Sequence, residues 1–443
     1  MTRPSGSLLR ILGLGFGLAV TIGNTIGAGI LRTPGDIASL LPSPWMFVGI
    51  WCVGALYALL GANALAELGT MMPRNGAQYV FARHTFGDYA GFLVGWMDWV
   101  STCAATGAIA TVIGESVSQI VRGTPAISQP VAMAVVVVFT LLLLRGTRLG
   151  DIAQQITSLL KTLALLGLVV ACFAFAGNAH VAVPAATTSG AVGFAAFLLA
   201  AQSVIYTFDG WSGAIYFSEE LDDPARQIPR SMFYGLLSIA VIYLSINIAF
   251  IHAVPLGALA GSPLAAATVA SALFGARGEL LVRIVVIVAL PSAVNACLLM
   301  ASRVLNSVSR DGLGVPAAAS VNRGGTPAVA LVGTAIVTLT FLATGTFNTM
   351  IAIAAFFFVG SYTLSFLAVF VLRWREPQAP RPYRAVGHPF TTGFVLLGSL
   401  AFLTSAVIAD RRNSVYALAI VVVSYPVFRL TRPSRVSAPS VVE

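Results

Sequence analysis

Long apolar segments recur along the whole sequence and constrain its fold more than any other feature. Most are about twenty residues long, the length that an α-helix needs to cross a bilayer, and short polar stretches separate them. Of the 443 residues, 57% are hydrophobic and only 9% are charged, so no soluble domain is expected. The pattern predicts an all-α membrane protein with twelve transmembrane helices at approximately 11–33, 44–66, 89–120, 130–144, 152–176, 192–217, 228–250, 280–305, 327–343, 347–372, 390–409 and 414–428.

The distribution of basic residues indicates the topology of these helices. A net charge of +9 is compatible with nucleic-acid binding, but the arginines lie at the ends of apolar segments and not on one amphipathic face. With the N-terminus inside, most arginines fall in cytoplasmic loops, as the positive-inside rule requires. Both termini are therefore predicted to be cytoplasmic, and no nucleic-acid partner is expected.

The cysteines indicate neither disulfides nor a metal centre. They lie inside apolar segments and lack CxxC spacing, so they are expected to act as small hydrophobic side chains. No metal site and no cofactor is predicted. The four cysteines are Cys52, Cys103, Cys172 and Cys297.

Two apolar segments contain residues that weaken a helix. In "TIGNTIGAGIL" the glycines are Gly23, Gly27 and Gly29, and each costs a helix about 1 kcal/mol relative to alanine. A small-residue packing face would explain these glycines equally well. In the sixth segment, Asp209 and Gly210 interrupt the apolar run, and a carboxylate at membrane depth usually faces a cavity or a partner. One interruption at the start of each set of five helices indicates an inverted-repeat transporter.

Broken helices expose backbone groups that suit a zwitterion. The half-helix that begins near Gly27, Ala28 and Gly29 presents unpaired N–H groups and a partial positive charge, which suit a carboxylate. The half-helices that end near Thr25 and Asp209 present unpaired carbonyls, which suit an ammonium group. Together these groups predict a receptor for an α-amino acid.

Further motifs occur in a recognisable order along nearly the whole chain. They are "IGAGI", "AELGTMMPRNGAQYVFARHTFG", "GFLVGW", "FDGW", "EELDDPARQIPRSM", "NACLLMASRVLNSVSRDGLGVP", "GGTPAVAL" and "RPYRAVGHPF". In this order they resemble the amino acid/polyamine/organocation (APC) transporters, especially the bacterial and L-type amino acid permeases. The resemblance implies an integral protein of the bacterial inner membrane with a LeuT-like fold, in which helices 1 and 6 are broken.

The resemblance also implies a domain organisation and a substrate site. A single transporter domain, 1–430, would contain repeats at about 11–176 and 192–372, two additional helices at about 390–428, and a short cytoplasmic tail, 431–443. The substrate carboxylate would bind amides of the first break, and the amino group would bind carbonyls of Thr25, Tyr206 and Asp209. The complete predicted substrate site is Thr25, Ile26, Gly27, Ala28, Gly29, Tyr206, Thr207, Asp209 and Gly210.

Two positions of this predicted site carry alternatives. Tyr206 occupies the place of the family's aromatic gate, a ring that covers bound substrate, although a membrane core aromatic would explain it too. The family often has serine where this chain has Ala28. One hydroxyl contact to substrate is therefore expected to be missing, while the amide contacts remain.

Lys161 is the only lysine in the chain and lies in the middle of the fifth predicted helix. About ten residues, roughly 15 Å, separate it from either helix end, which is too far for easy snorkelling. In sodium-coupled relatives a cation joins helix 1 to helix 8, and the resemblance implies that the Lys161 ammonium replaces it. Transport would then be independent of sodium. A structural lysine is the alternative, although charges at this depth are usually functional.

Two other polar residues at membrane depth are candidates for the transport pathway or for coupling. Asp98 is either a second ionisable group on the pathway or the partner of an arginine near the cytoplasmic rim. Asn295 either bonds near Lys161 or joins helices. The acidic run 219–223 is expected to latch to cytoplasmic arginines close in sequence, such as Arg226, and not to bind a metal.

These features predict a sodium-independent secondary active transporter of neutral L-amino acids that works as an exchanger or a proton-coupled symporter. The alternatives are a transporter of cationic amino acids or polyamines, because Asp209 could pair with a second ammonium, and a transporter-like sensor. An enzyme would have to use His84 and Asp88, a two-residue pattern that is weak evidence, so no enzyme is expected. Expected partners are an amino acid, the lipid bilayer and, for symport, protons; the loop "RGTPAISQ" has no cysteine for a disulfide-linked subunit.

Overall fold

Helices make up the regular structure of this protein. The computed structural model describes residues 13–121, 125–176, 193–322 and 324–431, and these residues contain no strand. Both chain ends and part of the loop "RGTPAISQ" therefore lie outside the described residues. The helices are α1 (Leu14–Thr25), α2 (Gly29–Leu40), α3 (Pro44–Met71), α4 (Gln78–Phe86), α5 (Asp88–Ile120), α6 (Ser128–Leu144), α7 (Thr147–Phe175), α8 (Phe194–Phe208), α9 (Pro224–Ala253), α10 (Leu256–Leu259), α11 (Ala265–Phe274), α12 (Ala276–Ala289), α13 (Pro291–Arg310), α14 (Ala328–Thr344), α15 (Phe347–Arg375), α16 (Phe390–Ala409) and α17 (Arg411–Thr431).

Ten helical stretches among the described residues are long and apolar enough to cross a membrane. In this count α1 and α2 form one stretch, and α12 and α13 form another. The chain is thus an integral membrane protein. Two of the twelve predicted helices are not among the ten, because α14 has only 17 residues and α8 ends after 15 residues at the second interruption.

The predicted helix bounds differ from the observed ones where polar residues control a helix end. The seventh predicted helix starts at 228, but α9 starts at Pro224, because proline suits the first helical turn and the Asp223 carboxylate accepts from the amide of Arg226 at 3.3 Å. The eighth predicted helix is divided at Pro291, whose ring and missing N–H disturb a helix interior. Hydrophobicity alone reveals neither boundary.

Packing brings the two interruptions to the centre of the helix bundle. α1 packs against α7, α9 and α13, and α8 packs against α2 and α3. α5 lies against α4, α13 and α15. The two interruptions are therefore surrounded by helices from both halves of the chain.

Candidate functional site

The first interruption separates α1 from α2. Ile26 leaves helical geometry, with φ −73° and ψ 82°, and α2 starts at Gly29. The amide of Gly27 donates to the carbonyl of Thr25 at 2.8 Å, so this amide already has an internal partner. The amides of Ala28 and Gly29 lie at the N-terminus of α2, where a helix offers its N–H groups no partner and has a partial positive charge.

The second interruption follows α8. Asp209 has an extended backbone, and Gly210 has a φ of +103°, which favours glycine. A 3-10 segment, Gly213–Phe217, then continues the chain. A Cβ atom on Gly210 would lie 2.9 Å from backbone atoms of Asn24 and Thr25. Glycine therefore lets the two interruptions touch.

A narrow cavity of about 40 Å³ lies between the two interruptions. Every residue of the predicted substrate site lines it except Ile26. Sequence reasoning missed the remaining wall residues, although those next to Asp209, Asp98 and Asn295 in sequence could have been suspected from helical spacing. These further lining residues are Asn24, Thr102, Ala105, Ile109, Ser212, Tyr216, Cys297, Met300, Phe358 and Tyr362.

Lys161 lies behind the first interruption and is 1% exposed. Its ammonium donates to the carbonyl of Gly23 at 2.7 Å and to the carbonyl of Ile26 at 2.5 Å. A broken helix leaves its last carbonyls without intrahelical partners, and Lys161 satisfies two carbonyls near the end of α1. Both acceptors therefore belong to the first interruption. Among the described residues, Lys161 has no hydrogen bond to a carbonyl of α13.

Tyr243 in α9 joins the two interruptions and was missed from the sequence. Its hydroxyl donates to the carbonyl of Thr25 at 2.7 Å and lies 3.2 Å from the carbonyl of Thr207. With the amide of Gly27, the Thr25 carbonyl thus has two donors in this structure, which is the usual capacity of a carbonyl oxygen. An isolated tyrosine in an apolar helix carries no sequence signal for such a contact, because core aromatics are common.

Two carboxyl groups near the cavity each meet a tyrosine hydroxyl. Tyr362 donates to Asp209 at 2.7 Å, and the hydroxyl of Tyr216 lies 2.7 Å from Asp98. Asp98 is fully buried and forms no ion pair with a described residue. An arginine partner near the rim, one of the two predictions for Asp98, is therefore wrong, because α5 turns this residue into the bundle.

Asn295 and Cys297 lie in α13 behind the same cavity. Asn295 is fully buried, and the described hydrogen bonds of Lys161 do not include it. The Cys297 thiol donates to the side-chain oxygen of Asn24 at 3.1 Å. The prediction that every cysteine acts only as a small hydrophobic side chain is thus wrong for Cys297, which reaches the cavity because α13 faces the first interruption.

Acidic residues that follow the 3-10 segment bind arginines of α13. Glu220 and Arg303, both almost completely buried, form a two-pronged ion pair at 2.5 and 2.8 Å. Glu219 and Arg310 form a more exposed pair at 2.5 and 2.9 Å. The predicted latch to arginines exists, but its arginines are distant in sequence; Arg226 only approaches Asp223, at 3.7 Å. Helix packing and not sequence proximity selects the partners.

His84 and Asp88, the pair that an enzyme would need, have separate partners. His84 contacts Glu376 at 2.8 Å, and Asp88 accepts from Arg83 at 3.0 Å. Both line a cavity of about 490 Å³ beside the start of α5. These contacts give both side chains a structural role.

Comparisons with known proteins agree with this architecture. A family model described as "Amino acid permease" matches residues 16–426. The chain is 25% identical to the serine/threonine exchanger SteT of Bacillus subtilis (strain 168) over 434 residues, which cover 97% of this chain and 98% of that protein. It is 26% identical to the b(0,+)-type amino acid transporter 1 of Mus musculus over 419 residues, or 91% and 84% of the two chains. It is 28% identical to the large neutral amino acids transporter small subunit 2 of Homo sapiens over 397 residues, or 85% and 72%.

Proposed function

Since the chain belongs to the amino acid permease family, we propose that it is a sodium-independent secondary active transporter of neutral L-amino acids. Its family and relatives are transporters and not enzymes. The chain would bind its substrate between the two interruptions and alternate access by rocking one group of helices against the other. It would work either as an exchanger or as a proton-coupled symporter.

The proposed architecture extends the ten candidate spans to twelve. α14 supplies one further span, and α8 with the 3-10 segment after it supplies the other. Two inverted repeats, about 11–176 and 192–372, would then place the interruptions in equivalent helices of a single domain, 1–430. We place the protein in the bacterial inner membrane, and the distribution of arginines favours an orientation with both termini, including the tail 431–443, in the cytoplasm.

The meeting of two broken helices around one cavity is the observation that carries the proposal. The substrate carboxylate would bind the amides of Ala28 and Gly29, where the positive end of α2 faces the cavity. The amino group would approach the end of α8 and the carboxyl of Asp209. Tyr206, a half-buried ring of the cavity wall, would cover the bound substrate.

A small neutral side chain fits the cavity better than a long cationic one. The space between the interruptions is narrow, and Tyr362 already occupies one oxygen of Asp209. A cationic amino acid or polyamine is the second candidate, because the carboxylate of Asp209 could pair with a second ammonium.

Lys161 provides the support for sodium independence. Its ammonium already binds two carbonyls near the end of α1, and a bound sodium ion would need such oxygen atoms as ligands. A positive charge in this place would repel a second cation. We therefore assign to Lys161 the role of a fixed cation that holds the first interruption in shape.

Uptake into proteoliposomes tests the proposed function. A panel of radiolabelled amino acids and polyamines would be offered with and without sodium, internal amino acid or a proton gradient. We expect uptake of a small neutral amino acid. This uptake should be the same with and without sodium, and it should fall at least tenfold in Lys161→Ala. Ser158→Ala is the matched control, because Ser158 lies one turn away in α7 and its hydroxyl donates to the carbonyl of Ala19, which lies in α1 outside the interruption.

Size-exclusion profiles of the purified variants would show that they are folded. If no compound on the panel moves, the proposal of transport is wrong. If uptake requires sodium, the role of Lys161 is wrong while transport stands. If only compounds with a second amino group move, the cationic candidate replaces the neutral one.

A further inference from the structure

Three carboxyl groups of the described residues are almost completely buried, and one of them differs from the other two. Glu67 accepts from Arg373 at 2.9 and 2.6 Å, and Glu220 accepts from Arg303 at 2.5 and 2.8 Å. Asp98 is as deeply buried as both, yet no arginine, lysine or histidine among the described residues pairs with it. Asp98 therefore lacks the compensation that the same protein gives to its other buried carboxylates.

The hydrogen bonds around the Tyr216 hydroxyl also distinguish a protonated Asp98 from an ionised one. The Tyr216 hydroxyl has one hydrogen, but two acceptor oxygens lie within hydrogen-bonding distance of it: Asp98 Oδ1 at 2.7 Å and Gln78 Oε1 at 3.1 Å. With the oxygen of the Gln78 amide facing Tyr216, as in this structure, one of these contacts has no hydrogen if Asp98 is ionised. If Asp98 is protonated, it donates to Tyr216, and Tyr216 donates to Gln78. One added proton thus satisfies both contacts.

The second oxygen of Asp98 is buried and has no hydrogen-bond partner among the described residues. An ionised carboxylate with an unsatisfied oxygen at membrane depth is far less favourable than a neutral carboxyl group in the same place. The geometry of Asp98 and Tyr216 accordingly fits the neutral form.

We propose that Asp98 carries a proton in this conformation and releases it in another, so that transport is coupled to protons through the pair Asp98–Tyr216. This inference rests on the proposed function and selects symport over pure exchange. Upon release, one O–H bond of the Asp98 carboxyl breaks, the proton passes to water, and a carboxylate remains; no other bond changes.

Few titratable groups face Asp98 from the elements packed around α5. Those close enough to interact with it are the hydroxyls of Tyr216 and Tyr362 and the carboxyl of Asp209, and none of these is a cation. α6 and α14 contain no titratable side chain. Most charged side chains of the other packed helices have partners elsewhere: Arg83 and His84 of α4, Arg283 of α12, Arg303 and Arg310 of α13, and Arg373 and Arg375 of α15. The remaining arginines lie within the first two or last three residues of their helices: Arg277 of α12, and Arg411, Arg412 and Arg429 of α17.

The position of Tyr216 couples the protonation of Asp98 to conformation. Tyr216 belongs to the 3-10 segment Gly213–Phe217, which follows the second interruption, and it also lines the cavity. Glu220, three residues past the segment's end, is held by Arg303. When this segment moves during alternating access, Asp98 loses its hydroxyl partner and gains access to water, which favours the ionised form.

Infrared difference spectroscopy of purified protein tests the protonation without any substrate. We expect the carbonyl band of a protonated carboxylic acid at neutral pH, shifted in D₂O, in the wild type and in Asp209→Asn. The same band should be absent in Asp98→Asn and retained in Asp88→Asn, the matched control at the start of α5. No such band in the wild type, or loss of the band in Asp209→Asn, would overturn the proposal even if Asp98→Asn failed to fold.

Proteoliposomes that contain a pH-sensitive dye test the coupling. L-serine, L-alanine and L-leucine are the probes, and the internal pH is recorded during uptake. We expect substrate-driven acidification of the interior, and severalfold accumulation of substrate when an inward proton gradient is imposed, in the wild type. Asp98→Asn should lose both while exchange of external for internal substrate continues, and Asp98→Glu should restore part of the coupling.

The two failures are distinguishable in these experiments. If wild-type exchange is measurable but uptake moves no protons, or if Asp98→Asn still accumulates substrate along a proton gradient, the role of Asp98 is wrong and the proposed transport function stands. If neither exchange nor net uptake occurs with any amino acid or polyamine of the panel, the proposed function itself is wrong.

Discussion

The hydroxyl of Tyr243 donates to the carbonyl of Thr25 at 2.7 Å, so a side chain of α9 holds the end of α1 in place. The same hydroxyl lies 3.2 Å from the carbonyl of Thr207 in α8. One side chain therefore fixes the relative position of both interruptions. The contact does not require a bound substrate, because both acceptors are carbonyls of the protein backbone.

Tyr243→Phe should weaken the protein and its substrate affinity together. The change removes the hydroxyl and leaves two buried carbonyls with one donor fewer, a loss of about 1–3 kcal/mol in unfolding free energy. Thermal unfolding in detergent and substrate titration would measure the two effects. Tyr234→Phe is the control, since Tyr234 also lies in α9 but is 58% exposed; equal behaviour of the two variants would contradict the bridging role.

Gly210 and Gly27 should respond differently to alanine, although both lie in interruptions. Gly210 has a φ of +103°, and a Cβ atom there would lie 2.9 Å from the backbone of Asn24 and Thr25. At Gly27 the nearest atoms to a Cβ atom would be the carbonyl oxygens of Asn24 and Thr25 at 3.9 Å, an ordinary van der Waals contact.

We expect Gly210→Ala to reduce the yield of folded protein and to lower its unfolding temperature, because backbone atoms cannot yield. Gly27→Ala should fold normally and bind substrate at least tenfold more weakly, because its methyl group enters the space beside the α2 amides. Purification yield, thermal unfolding and substrate titration distinguish the two. Normal substrate affinity in Gly27→Ala would exclude a substrate position beside this backbone.

The helices could be predicted from the sequence because each apolar segment must satisfy its own backbone hydrogen bonds in lipid. α16 has the predicted bounds, and the two interruptions lie at the predicted Gly27 and Asp209. Glycine and aspartate disturb a helix locally, so their effect is visible without knowledge of tertiary structure.

Partners across helices could not be predicted, because they depend on how the helices are rotated and packed. Tyr243 and Tyr362 lie in segments that contain no predicted site residue, and nothing in their local sequence indicates that they meet the interruptions. The arginine partner of Glu220 is 83 residues away in sequence, whereas the nearby Arg226 is directed to Asp223. Sequence proximity was therefore a poor guide to the ion pairs.

Removal of Glu220 should cost far more stability than removal of its neighbour Glu219. Glu220→Gln leaves the guanidinium of Arg303, 1% exposed, without its counter-ion, which costs about 3–5 kcal/mol for a buried pair. Glu219→Gln breaks the pair with Arg310, in which both side chains are about a quarter to a third exposed, so about 0–1 kcal/mol is expected. Thermal unfolding of both variants measures the difference, and a similar loss in both would contradict the assignment of burial.

Asp311, just beyond the end of α13, should make the stability depend on pH in the acidic range. Burial would raise the pKa of its carboxyl, but hydrogen bonds from Arg74 and Tyr79 and the charges of Arg74 and Arg83 more than offset burial and hold the pKa below its usual value. A carboxyl whose pKa is lower in the folded state stabilises the fold above its unfolded pKa of about 3.9. That stability is lost as the pH falls through the lower, folded pKa.

Asp311→Asn should therefore have a lower unfolding temperature than the wild type at pH 7, and the difference should shrink steadily below about pH 4. Thermal unfolding in detergent across pH 3 to 7 would measure this. Glu279→Gln is the control: Glu279 pairs with Arg283 within α12 at 2.7 Å, and a pair of this kind contributes about 0.2–0.5 kcal/mol. A difference between wild type and Asp311→Asn that stays constant down to pH 3 would show that the charge of Asp311 is not what stabilises this end of α13, because an uncharged hydrogen bond would be equally strong at every pH.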